Sequence, residues 1–200
     1  VIITEHLLPI NQFSRPGHKR KDTLAIVYHW VGNAGQSQTG VARYFELLSK
    51  QDSKDDKPDR YASAHYVIGI EGDIVRCIPD DEIAYHVGAK EYTSTAQHRL
   101  RGYTTNNNTP NWCTIGIEMC HPDWSGVFTT ETLQAAIKLG KHLIHTYMLG
   151  PHDVYRHYDI TGKSCPKWLV EHETAWLMFR DDIQRSLGGD SGFYDRERGI

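Results

Sequence analysis

Tyr155-Arg156-His157-Tyr158-Asp159-Ile160-Thr161-Gly162-Lys163-Ser164-Cys165-Pro166 sets an imidazole eight positions ahead of a thiol, with Lys163 and Pro166 close around the sulfur. The run reads as a loop kept flexible by Gly162, because glycine reaches backbone angles closed to other residues. Ring nitrogen and thiolate together suit Zn²⁺, which in catalytic sites takes three protein ligands and keeps a fourth position open. Zinc fingers draw their ligands from close pairs, and the spacing from His157 to Cys165 is not of that kind. A third ligand must therefore come from elsewhere in the chain. The best donor is His29, near the end of the apolar run Leu24-Ala25-Ile26-Val27-Tyr28-His29-Trp30.

A continuous apolar run of this length predicts a central strand covered on both faces, with His29 where the strand opens onto a cleft. Val41, Tyr44, Phe45 and Leu48 recur at helical spacing within 37–50, and the charge-rich run 51–60 reads as an exposed loop. Residues 62–70 and 74–78 flank the turn Glu71-Gly72-Asp73 as a hairpin. The stretch 90–111 is polar and rich in Thr and Asn; a loop of this length is commonly functional, and it is expected to form a rim over a substrate groove. A strand over 114–119 brings Glu118 to its end. Thr129 caps a helix with Leu133, Ala136, Ile137, Gly140, Leu143, Ile144 and Tyr147 on one face, stopped at Gly150-Pro151. A last helix runs from Pro166 to about 187, with Leu169, Trp176, Phe179 and Ile183 facing inward. Strands mixed with three helices indicate an α/β (α+β) single domain with a central mixed β-sheet flanked by helices. Residues 1–21 read as an N-terminal arm, 22–187 as the domain, and 188–200, opening Gly188-Gly189-Asp190-Ser191-Gly192, as a linker or the start of a connection to a further module.

Taken in chain order, these pieces resemble a known family. The strand ending in His29, the strand Ser63-Ala64-His65-Tyr66-Val67-Ile68 with its acidic-glycine turn, the strand ending in Glu118, and the closing His157 with Gly162-Lys163-Ser164-Cys165-Pro166 are similar to the zinc-dependent N-acetylmuramoyl-L-alanine amidases of the amidase-2 type. That family includes phage endolysins and bacterial autolysins and has a peptidoglycan recognition protein-like fold. The resemblance implies a zinc ion held by His29, His157 and Cys165, with Glu118 as general base and Lys163 steadying the oxyanion. It also implies hydrolysis of the amide between N-acetylmuramic acid and L-alanine in peptidoglycan. The segment Tyr85-His86-Val87-Gly88 resembles the family's cleft-wall element, so His86, and with it His65, is a candidate to line the groove and touch the muramyl peptide. Some relatives use a tyrosine as base on the strand equivalent to 62–68; the matching position here is Ala64, which leaves the role to Glu118.

Bulk properties narrow the alternatives. Two hundred residues suit one domain. A net charge of −3, with no basic stripe carrying interleaved aromatics, argues against a nucleic-acid partner. No apolar run approaches the roughly 18 residues of a membrane span, so membrane insertion is not expected. Four cysteines without a C-x-x-C pair leave an odd three once Cys165 is given to a metal, which disfavours a disulfide framework. The first residues lack a charged-then-apolar signal sequence, so the expectation is synthesis in the cytoplasm and action on the cell wall after phage lysis or export by another route. A monomer is the expected state. His172-Glu173 opens like a zinc-protease motif, but Trp176 stands where its second histidine belongs. Two other functions stay open: a wall-binding module that does not cut, and a zinc hydrolase of another N-acylated peptide.

Overall fold

The computed structural model describes residues 1–54, 57–150 and 152–185. Among these residues six strands form one mixed sheet in the order β1-β4-β3-β5-β2-β6. They are β1 (Thr4–Glu5), β2 (Ala25–Trp30), β3 (Tyr66–Ile68), β4 (Ile74–Arg76), β5 (Thr114–Met119) and β6 (Val154–Arg156). Only the β3–β4 hairpin is antiparallel; the other four neighbouring pairs run parallel. Among the described residues six α-helices pack around the sheet: α1 (Gln38–Leu47), α2 (Ser94–Arg99), α3 (Thr130–Tyr147), α4 (His157–Thr161), α5 (Lys167–Glu171) and α6 (Glu173–Gln184).

The two-residue period of strands sorts the core. Ile26 and Tyr28 of β2, with Ile115, Ile117 and Met119 of β5, face α3 and α6, where Leu133, Leu143, Trp176, Phe179 and Ile183 close the larger core. Each such side chain, wholly removed from water, contributes about 1.5–3 kcal/mol. Ala25 and Val27 face the other way, into a cluster with Tyr92, Ala96, Leu100, Tyr155 and Ile160. The β2 strand is thus buried on both faces, as its unbroken apolar run predicts. One position departs from bulk packing: a Cβ on Gly140 would sit 2.4 Å from Tyr28 Oη, so the absence of a side chain lets α3 approach β2 and the Tyr28 hydroxyl donate to Ala136 O at 2.9 Å.

Four expectations need correction. The stretch 90–111 is not one long loop: Tyr92 just ahead of α2, Ala96 within it and Leu100 and Tyr103 after it recur at steps of four, four and three and pack on the sheet, and of the stretch Asn111 lines the cleft. The single last helix is two, broken at His172, whose φ of −123° and ψ of 77° lie outside the helical region. The helix capped by Thr129 ends at Met148 in the left-handed region (φ 52°), before Gly150. The segment around Gly162 is no flexible loop: β6 runs directly into α4, and Gly162 closes that helix at φ 77°. Residues 1–21 lie along the sheet edge through β1 and bury Leu8 and Phe13, with Arg15 paired to Glu82 at 2.8 Å. The expected linker at 188–200 falls outside the described residues. Among those described, no helix is long and apolar enough to cross a membrane, and all four cysteines are free and buried.

Candidate functional site

The parallel register of β2 and β5 sets His29 beside Glu118. Paired residues of parallel strands point to the same face, so both side chains leave the sheet together at its carboxyl-terminal end. The neighbouring β6 ends at Arg156, and His157 follows as the first residue of α4. Buried Arg156 holds that junction: it pairs with Asp159 at 2.8 Å and Glu173 at 2.6 Å and donates to Leu169 O at 2.9 Å. The tight turn after Gly162 then returns Cys165 toward β2, where its sulfur accepts the Trp30 N–H at 3.5 Å.

These elements bring His29, His157 and Cys165 together, with one possible ligand atom from each lying within 4.8 Å of the others. The Nδ1 atoms of His29 and His157 are 3.0 Å apart, and Cys165 Sγ is 3.9 Å from His29 Nδ1. Tetrahedral zinc, with Zn–N of about 2.05 Å and Zn–S of about 2.3 Å, needs ligand separations of about 3.3 Å (N to N) and about 3.6 Å (N to S). The observed pair of distances brackets those values, so the three side chains fit a metal of that class. Their protonation also fits. Burial, then His157, His86 and the Lys163 ammonium, hold His29 well below the ordinary imidazole range. Burial with Lys163 takes His157 down to about 4, so both rings are neutral donors. Burial raises the Cys165 thiol to about 12, with Glu118 adding to the rise and the Trp30 N–H and Lys163 opposing it; a cation is what would make this sulfur a thiolate.

Glu118 shares the cleft with the triplet. Its Oε2 is buried and has no hydrogen-bond partner, and burial raises the carboxyl to about 8 against the pull of Lys163. An unpaired buried oxygen aimed into a cleft is disfavoured unless something it meets there compensates. The cleft, about 650 Å³ in volume, is also lined by Trp30, Phe45, Tyr61, Tyr85, Asn111 and the exposed Lys163. The Lys163 charge is felt at His29, His157, Cys165 and Glu118.

The two other histidines part company. His65 does not face the groove: it is fully buried, its Nδ1 accepts the Gly116 N–H at 3.0 Å, and its Nε2 donates to Glu82 O at 3.0 Å. No ring nitrogen is left for a substrate. His86 does reach the cleft wall, but both its ring nitrogens are also engaged, by His29 Nε2 at 3.0 Å and by Thr114 Oγ1 at 3.1 Å. The sequence carries no local sign of this second contact, since Thr114 lies 28 residues from His86.

Residues 19–168 match the family described as N-acetylmuramoyl-L-alanine amidase. A probable N-acetylmuramoyl-L-alanine amidase of Bacillus licheniformis is 32% identical over 188 residues, covering 94% of this chain and 49% of the relative. The N-acetylmuramoyl-L-alanine amidase BlyA of Bacillus subtilis (strain 168) is 28% identical over 191 residues, covering 95% and 49%. The chain thus spans about half the length of these curated relatives. Among solved structures, the catalytic domain of XlyA superposes with a TM-score of 0.66 at 24% identity, covering 92% of this chain and 99% of that one. PlyL gives a TM-score of 0.67 at 18% identity, covering 92% and 97%. At such identities these two likenesses speak for the fold.

Proposed function

This chain belongs to the N-acetylmuramoyl-L-alanine amidase family, and on that premise we propose that it hydrolyses the amide between N-acetylmuramic acid and L-alanine in peptidoglycan. The observation that carries the reading is the meeting of His29, His157 and Cys165 beside the unpaired carboxylate oxygen of Glu118 in one open cleft. In this reading residues 22–187 are the catalytic unit and residues 1–21 an arm along its sheet edge.

His29, His157 and Cys165 would hold zinc, which when bound supplies the positive charge that acidifies water and polarises a carbonyl. Glu118 takes the proton of the attacking water on Oε2. A carboxyl raised toward neutral pH is a stronger base than an ordinary one, and once protonated it hands the proton to the departing alanine nitrogen. Lys163 places an ammonium at the cleft mouth, where it favours the oxyanion that develops as the carbonyl becomes tetrahedral. Trp30, Phe45, Tyr61 and Tyr85 give the cleft apolar surface against which a sugar ring or a stem peptide can rest.

Digestion of purified peptidoglycan tests this directly. Mass spectrometry should find new L-alanine amino termini, no new reducing sugar ends, and loss of both cleavage and product after chelation. Absence of new termini would make the chain a binder, and new reducing ends would assign it to a different hydrolase class.

A further inference from the structure

We propose that Thr114 and His86 form a hydrogen-bonded relay that positions His29, fixing the tautomer in which His29 Nδ1 is bare toward the metal. This rests on the zinc reading above, and it assigns to two residues outside the triplet the task of aiming one of its ligands.

The direction of the relay follows from its fixed end. Pro110 O is a carbonyl and only accepts, and Thr114 Oγ1, 2.8 Å away, donates its one proton there. The hydroxyl then presents lone pairs to His86 Nε2 at 3.1 Å, so that nitrogen carries the proton. A neutral His86 with its proton on Nε2 has a bare Nδ1. His29 Nε2, 3.0 Å from that atom, must donate to it. His29 therefore carries its proton on Nε2 and keeps a lone pair on Nδ1, the atom that lies 3.0 Å from His157 Nδ1 and 3.9 Å from Cys165 Sγ. The reverse order would place a proton on His29 Nδ1 and close the metal position. It would also leave the Thr114 hydroxyl donating to His86 and the buried Pro110 O without that bond.

The surroundings are built to keep the His86 ring in place. Asn111 Oδ1 accepts the backbone N–H groups of His86 and Val87 at 3.2 and 2.9 Å. The ring lies against Gly116, where an added Cβ would come within 2.5 Å of His86 Cγ, so β5 must carry glycine there for the ring to fit. Asn111 and Pro110 belong to one 3-10 turn, Pro110–Trp112, which thus grips the relay at its backbone and at its acceptor. Outer-shell partners of this kind commonly account for about 10–100-fold in metal affinity.

The test uses the full chain and zinc alone as the probe, with affinity read by competition against a chromophoric chelator and folding checked by circular dichroism. Thr114→Val, which keeps the side-chain shape and removes the hydroxyl, should weaken zinc binding by about tenfold or more. Thr114→Ser restores the hydroxyl and should bind within about threefold of wild type, a rescue that loss of packing alone would not give. Nitrogen-15 NMR of the zinc-loaded wild-type chain should place the protons of His29 and His86 on Nε2, a measurement that needs no variant. Wild-type affinity in a folded Thr114→Val chain, or a proton on His86 Nδ1, would overturn the relay while leaving the zinc reading intact. A wild-type chain that binds no zinc would overturn the zinc reading itself, and the relay with it.

Discussion

At Glu118 folding and chemistry pull in opposite directions. Burial lifts its carboxyl from 4.5 to about 8, with Lys163 opposing, so the metal-free folded chain binds this proton more tightly than the unfolded chain does. Its contribution to stability is complete below about pH 4.5 and is lost as pH rises through about 8. In chelator, wild type should therefore lose urea stability between pH 7 and pH 9 by more than Glu118→Gln does; parallel losses would contradict the burial. With zinc restored, Glu118→Gln should keep its metal by elemental analysis yet lose about 10²–10⁴-fold in turnover, and near-normal wall digestion by that variant would remove Glu118 from the base role. His29, His157 and Cys165 could be singled out in the sequence because imidazole and thiol stand in short, chemically distinctive runs, and Glu118 because the strand that carries it resembles the family's. The burial of His65 and the engagement of His86 were not, because their partners at Glu82, Gly116 and Thr114 become neighbours only across the sheet.

Among the elements, the junction of β6 and α4 sets where His157 points. Arg156 ties it to Asp159 within α4, to Leu169 O in α5 and to Glu173 at the start of α6, and its guanidinium lies over the Trp176 ring at 5.1 Å. Arg156 itself is buried, but Glu173 is exposed and Asp159 part-buried, so the loss on removing the guanidinium falls mainly on Leu169 O and on Asp159. Arg156→Ala should lower unfolding stability by about 1–3 kcal/mol in denaturant titration and weaken zinc binding along with it, whereas a change below about 0.5 kcal/mol, the range of ordinary surface substitutions, would show that the junction is held by other contacts. Helices and strands with plain periodicity, such as α3 and β2, were readable from spacing alone. The polar composition of 90–111 hid the pattern of Tyr92, Ala96, Leu100 and Tyr103 in and around α2, since four apolar positions were outnumbered by Thr, Asn and charge. The break at His172 was hidden for a different reason: the apolar stripe from Leu169 to Ile183 continues past it, and periodicity does not register one residue leaving the helical region.

Across the whole molecule, the sheet order places β2 between β5 and β6, so three segments remote in sequence deliver Glu118, His29 and His157 to one end of adjacent strands. Cys165 arrives from the turn beyond α4 and completes the set. That the sheet is mixed was read from strands interspersed with helices along the chain. The order of its strands did not, because parallel pairing is decided by crossover packing over long separations. Zinc-edge X-ray absorption of the purified chain reads the outcome of that topology without reference to activity. The account predicts one sulfur at about 2.3 Å and two imidazole nitrogens at about 2.0–2.1 Å around a single zinc; a shell without sulfur, or a chain that takes up no zinc, would contradict it.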